Sequence, residues 1–380
     1  MKPIFIKAIQ SISALGINLD EVWQSYQSKQ ALFVKNHSND WVCALNEKQE
    51  DVIENLSNQN LKKHKLDRTV LMTLALGQSL ISLAGWQKNK KIGVNIGSSR
   101  GATHVFEQDY AYFLKTGQAK THTSPTTTLG NISSWLAQDL GLAGPEISHS
   151  ITCSSGLHAL LNGVAWLNAG LTKRFIVGAA ESPLTPFTIA QMKALKIYSN
   201  LADELPCQSM LFEKKTNSMI LSEGAILLGL SKKKDKNDLG KIIGIGYGIE
   251  SLNSPTAISK NGVSIQLAMQ MALKNHDLKS IDAVVMHAPG TIQGDLSELN
   301  GIQAVFKNDL PYLTSNKWQI GHTFGASGLF SLELALLMLK HQHLIENPFY
   351  KNETSKKTIN RILVNGVGFG GNAVSVLVER

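Results

Sequence analysis

Short apolar runs recur along the chain at residues 4–8, 92–96, 147–152, 175–178, 225–230, 242–247, 283–286, 362–365 and 374–378. Their length and β-branched content predict buried strands. Between them, apolar residues recur at helical spacing over 19–27, 67–83, 154–168, 262–273, 295–306 and 329–341. That alternation predicts a layered α/β architecture. The charged stretch SKKKDKNDLG, residues 231–240, is the best linker candidate and divides the chain into 1–235 and 236–380. Both parts read strand–helix–strand and both end in adjacent apolar strands, which hints at a duplicated unit without a residue-level repeat.

Composition fits a well-buried globular protein, with 43% hydrophobic and 17% charged residues. Three widely spaced cysteines, Cys43, Cys153 and Cys207, indicate neither a disulfide framework nor a zinc site. The first residues are interrupted by Lys2 and Lys7, unlike a signal peptide, and the longest apolar stretch (70–84) carries Thr73, Gly77, Gln78 and Ser79. That stretch predicts a buried helix, with no membrane span, and a cytoplasmic protein.

The net charge is +8, from 37 basic and 29 acidic residues. No helix-turn-helix, zinc-finger or RNP pattern accompanies it, and aromatic content is only 7%, so a nucleic-acid partner is not expected. An acidic protein partner suits the charge equally well. The basic runs (Lys62, Lys63 and Lys65; Lys88, Lys90 and Lys91; Lys232–Lys234) read first as solvated loops.

Four segments carry candidate chemistry. In ISHSITCSSGLHALLNGVAWLNAG, a β-rich run delivers Cys153 to a strand end, and Ser154, Ser155 and Gly156 open a helix. A thiol at such an elbow meets unpaired N–H groups and a helix dipole that favour the nucleophilic thiolate, although most free cysteines are simply small buried residues. In AVVMHAPGTIQGDLSE, an apolar strand ends at His287 ahead of Asp295 and Glu298. A histidine there can exchange a proton near neutral pH, although for one isolated histidine a loop residue capping a helix is the favoured reading. In TSNKWQIGHTFGASGLFSLE, Lys317 precedes His322, and Gly321, Gly325 and Gly328 permit close backbone approach. The fourth, GVGFGGN, leads into a strand and lacks the ending of a phosphate loop, but its N–H groups could bind an oxyanion.

Together, in this order, the segments resemble the β-ketoacyl-[acyl carrier protein] synthase family: TCSSG at Cys153, HAPGT with Asp295 and Glu298 at His287, KWQIGHTFGASG at Lys317 and His322, and GFGG around Phe369. The resemblance runs from GVNIGSSRG to GFGG and implies a thiolase-like fold of two related α/β halves in an αβαβα stack. It implies an acyltransferase in which Cys153 takes an acyl chain and His287 and His322 stabilise the enolate of a malonyl thioester. Lys317 would position His322, Glu298 would pair with Lys317, and Asp295 would be a supporting residue. The backbone N–H groups of Cys153 and Phe369 would form the oxyanion hole.

No cofactor is implied beyond the phosphopantetheine that arrives on the acyl carrier protein. The implied partners are that carrier, docking at Lys62, Lys63, Lys65 and Arg68, and a second identical or related subunit contacted near the β-prone segment 124–135. Ala288 and Pro289 stand where the family usually has Gly-Thr, Val367 replaces an aromatic residue, and Ser331 stands where a glutamate commonly supports the lysine. These departures point to a divergent branch, of fatty-acid, polyketide or aryl-polyene type. A non-elongating partner resembling a chain length factor is the alternative, and the presence of Cys153 weighs against it.

Overall fold

The structure is a computed structural model that describes residues 1–59, 63–129, 131–254, 257–307, 309–352 and 358–380. Its strands are β1 (Ile4–Ile12), β2 (Val34–Lys35), β3 (Trp41–Cys43), β4 (Gly93–Gly97), β5 (Glu146–His149), β6 (Arg174–Glu181), β7 (Leu221–Ser222), β8 (Gly224–Ser231), β9 (Gly240–Ile249), β10 (Ala283–Val285), β11 (Tyr312–Thr314), β12 (Arg361–Gly368) and β13 (Asn372–Glu379). β2, β3 and β7 make a small sheet, and the other ten pair in the order β11-β10-β12-β13-β9-β1-β8-β6-β4-β5.

The ten-stranded order contains one pattern twice. In β5-β4-β6-β8-β1 the first three strands are parallel and the last two pairings antiparallel. In β11-β10-β12-β13-β9 the same sequence of pairings recurs. The two halves meet where Ile4–Ile6 of β1 pairs with Gly240–Ile242 of β9. The duplication is therefore one of topology, which hydrophobic rhythm reveals and residue identity does not.

Each half sends one helix into the middle of the molecule, Ser155–Asn168 and Ser327–His341. Ser327 to Leu339 is buried without interruption, because the helix lies between two apolar layers and has no solvent face. Leu157, Leu160 and Val164 share one core with Leu329, Phe330, Leu336, Val364 and Val376. Arg68–Leu83 and Asn131–Leu140 cover the outer face of the first half through Leu74, Leu136, Ile96 and Ile176. Val263–Ala272 and Ile292–Phe306 cover the second through Ile265, Ile302, Leu363 and Leu377. The result is the αβαβα stack of a thiolase-like fold.

The central helices touch at glycines. A Cβ on Gly156 would sit 2.8 Å from the Gly325 carbonyl oxygen, and one on Gly328 would sit 2.6 Å from Leu157 Cγ. Segment 124–135 departs from its β-prone reading: residues 124–127 lie on the helix Thr123–Thr127 and residues 131–135 on the helix Asn131–Leu140, where Ile132, Leu136 and Leu140 recur at helical spacing and bury against a neighbouring helix. No helix among the described residues is long and apolar enough to cross a membrane.

Candidate active site

The elbow forms as the apolar run predicts. β5 ends at His149, Thr152 adopts a left-handed φ of 45°, and the helix opens at Ser155, leaving Cys153 at the turn with 8% of its surface exposed. Two hydrogen bonds clip the GVGFGGN turn onto this elbow, and a third braces the turn itself. Thr152 Oγ1 donates to the Phe369 carbonyl (3.2 Å), Asn372 Nδ2 donates to the same oxygen (2.8 Å), and Ser154 Oγ donates to Asn372 Oδ1. Phe369 is thereby held beside Cys153 although 216 residues separate them in sequence (369 − 153).

The expected thiolate is not the resting form. Burial pushes the Cys153 thiol up to about 12 and the Glu181 carboxylate adds to the rise, against the weaker pull of Arg100, the residue's own N–H and Lys317.

His287 follows β10 and is fixed through its backbone. Glu298 accepts the N–H groups of His287 (2.9 Å) and Ala288 (2.8 Å) and the Asn365 amide (3.1 Å). Asp295 accepts from the N–H groups of Gly290 (3.0 Å) and Met210 (2.9 Å), and forms a fully buried ion pair with Lys214 at 2.8 Å. Ala288 takes φ 27° and Pro289 faces the cavity, so the loop is shaped by carboxylate anchors on the helix Ile292–Phe306. The expected Glu298–Lys317 pair does not form, because Glu298 is committed to these amides.

Lys317 opens a short helical turn (Lys317–Ile320) and is 1% exposed. Its Nζ donates to Asn316 Oδ1 (2.9 Å) and Ser331 Oγ (3.1 Å). Burial lowers it to about 8, against the upward pull of Glu298 and, more weakly, Cys207, Asp295 and Cys153. His322 follows, with its N–H on the Ile220 carbonyl (2.7 Å), and Phe324 takes φ 39°. Non-glycine residues in left-handed conformations thus stand within two positions of Cys153, His287 and His322 alike, which is where functional sites store strain.

The His287 and His322 rings meet edge to face with centroids 5.0 Å apart, and Phe324 packs edge-on against His322 at 5.7 Å. Burial lowers both histidines, His322 to about 3 with help from Lys317, and His287 well below the usual range with help from His322 and Lys317. Both imidazoles are neutral near pH 7. Cys153, His287, His322 and Phe369 line one cavity of about 390 Å³, walled also by Met192, Ile197, Met219 and Ile265. No cluster of three metal-ligating side chains occurs among the described residues.

The docking candidates separate. Lys62 lies outside the described residues, Lys65 is exposed, and Lys63 pairs with Asp139 at 3.1 Å. Arg68 is a correction: its guanidinium bridges Glu223 (2.7 and 2.9 Å) and Glu50 (2.8 Å), so it ties buried elements together and is not free to meet a carrier. Asn316 was not singled out in the sequence, nor were Glu181 and Arg100, whose partners Ser99, Gly325 and Gln191 lie far along the chain.

Comparison with known families agrees with this geometry. Residues 1–236 match the β-ketoacyl synthase N-terminal domain and 239–350 match the C-terminal domain. A 3-oxoacyl-[acyl-carrier-protein] synthase 1 of Buchnera aphidicola is 27% identical, covering all of both chains. Among solved structures, a type II polyketide synthase acyl-carrier protein in complex with its ketosynthase bound to the hexaketide matches with TM-score 0.85 and 15% identity, covering 100% of this chain and 99% of that one. A ketosynthase in complex with its chain length factor from Xenorhabdus doucetiae matches at 0.83 and 21%, covering 100% and 98%. The chain belongs to the β-ketoacyl synthase family.

Proposed function

We propose that this chain is a 3-oxoacyl-[acyl-carrier-protein] synthase, an acyltransferase that condenses an acyl thioester with a malonyl thioester. The observation that carries the reading is the convergence of Cys153, His287 and His322 on one cavity, with both imidazoles held neutral. Cys153 attacks the acyl-carrier thioester, its sulfur gains the acyl group, and the thiol proton leaves on the released pantetheine thiol. A malonyl thioester then occupies the cavity with its carbonyl between the two histidines. Loss of carbon dioxide leaves an enolate, which neutral donors stabilise better than they stabilise the ground state. The enolate carbon attacks the Cys153 thioester, the C–S bond breaks, and the cysteine sulfur departs as a thiolate that takes a proton from water as the 3-oxoacyl product forms.

Lys317 acts through its charge, Glu298 and Asp295 through the loop they anchor, and Phe369 as the residue held against the elbow, its N–H and that of Cys153 serving as the oxyanion donors. No resident cofactor enters this scheme, since phosphopantetheine arrives on the carrier. We assign residues 1–235 and 236–380 as the two halves, the cytoplasm as the working compartment, and a dimer, with itself or a related subunit, as the working form. The exposed stacked rings of Phe106, Tyr110 and Phe113 supply apolar surface for such a contact.

The test is intact-protein mass spectrometry after mixing with acyl-carrier thioesters. The acyl mass should appear on the wild type and vanish in Cys153→Ala. An adduct that persists, or that maps to Cys43 or Cys207, overturns the assignment.

A further inference from the structure

Lys317 is a fully buried ammonium whose hydrogen-bond partners, Asn316 Oδ1 at 2.9 Å and Ser331 Oγ at 3.1 Å, are both neutral. Buried ammonium groups are ordinarily matched by a touching carboxylate, as Lys214 is matched by Asp295 in this same protein. Around Lys317 the carboxylates are near but otherwise engaged. Glu298 holds the N–H groups of His287 and Ala288, and Asp295 holds Lys214 and two backbone amides. The cradle is itself anchored, since Asn316 Nδ2 donates to the hydroxyl of the buried Tyr26 at 3.2 Å.

We propose that Asn316 and Ser331 are positioning residues that keep the Lys317 charge uncompensated by any touching carboxylate, so that its field acts on the two histidines and on the enolate between them. This inference rests on the condensing reading above. A touching carboxylate would pair with the ammonium and cancel most of that field at the cavity, whereas amide and hydroxyl oxygens hold its position and leave its charge. The titratable groups that face Lys317 are Glu298 and Asp295 from the helix Ile292–Phe306, Cys153 and Cys207, and His287 and His322. Tyr26 stands behind Asn316 and senses Glu333 in turn. With Lys317 at about 8, its proton is lost just above neutral pH, and the support it gives the enolate goes with it.

The test is the pH profile of malonyl-carrier decarboxylation, with Cys153 acylation by intact mass and thermal melting as folding controls. Asn316→Asp is nearly isosteric and puts a carboxylate on Nζ without changing volume, with Tyr26 turning to donate to it. It should move the alkaline limb up by at least about one pH unit, as a touching opposite charge does, and lower the plateau rate about tenfold with KM for the malonyl carrier little changed. Ser331→Ala removes one neutral acceptor and should move the limb downward. Alkaline limbs that coincide in the wild type and both variants overturn the inference while leaving the condensing function intact. If Asn316→Asp does not fold, the Ser331→Ala limb alone decides. A wild type that takes an acyl group on Cys153 but releases no carbon dioxide at any pH overturns the condensing reading and, with it, this inference.

Discussion

A neutral histidine donates a hydrogen bond to a developing enolate from whichever ring nitrogen carries its proton, without adding a charge of its own. His322 is lowered to about 3 and His287 well below the usual range, chiefly by burial, so both imidazoles are neutral near pH 7. Nδ1 of each ring is buried without a partner among the described residues. Their neutrality is therefore set by the surrounding desolvation and by Lys317, and not by a carboxylate of the kind that orients histidines in triads. Replacing either His287 or His322 by alanine should leave Cys153 acylation in place and slow malonyl decarboxylation by about 10²–10³, the usual loss for one oxyanion donor. Normal carbon dioxide release from either variant removes that histidine from the mechanism. At this scale the sequence was informative, because polar residues at the ends of apolar runs and amid glycines mark Cys153, His287, Lys317 and His322. The target of Glu298 was not legible: a carboxylate on the inner face of a helix serves an ammonium or two backbone amides equally well, and only the loop's path decides.

The elements that bring these residues together were legible wherever apolar rhythm was strong and hidden where it was short. The central helices and long strands follow directly from periodicity, while β11 and the small sheet are too brief to show one. Links across the two halves, such as Ser154 to Asn372, span 218 residues and leave no local signal. The contact of Gly156, on the first central helix, with Gly325, on the turn before the second, couples the Cys153 elbow to the segment that carries His322. A methyl group at Gly156 would press on the Gly325 carbonyl at 2.8 Å, and Gly325 stands three residues from His322. Because backbone must yield there, Gly156→Ala should cost about 1–3 kcal/mol as overpacking, lower Tm, and reduce decarboxylation through displaced His322. Gly328→Ala presses on the Leu157 side chain, and should lower Tm with less effect on rate. Equal rate losses for the two would mean that the helix contact does not govern histidine placement.

Across the whole molecule, the excess of positive charge is the feature that a carrier protein would meet first. Acyl carriers are acidic, and a net +8 steers their approach without fixing where they land. The structure narrows the candidates. Arg68 is held by Glu50 and Glu223, and Lys63 by Asp139, so both contribute to the fold before they contribute to a partner. Lys65 is exposed beside a cleft shared with His104, Lys120 and His122, and Lys62 precedes it in the same basic run. Exposed charge pairs are worth only about 0.2–1 kcal/mol each, so one reversal can pass unseen. Lys62→Glu with Lys65→Glu should raise KM for the acyl-carrier substrate several-fold while turnover of a small thioester mimic stays nearly constant. Added salt should weaken the carrier-dependent reaction alone, since exposed attractions are screened within about 10 Å at 0.1 M ionic strength. Arg68→Glu should behave differently, lowering Tm and slowing both substrates, because it leaves Glu223 unpaired in the interior. If the double reversal changes KM for neither substrate, the carrier docks on another face; if it slows both equally, the two lysines serve the fold.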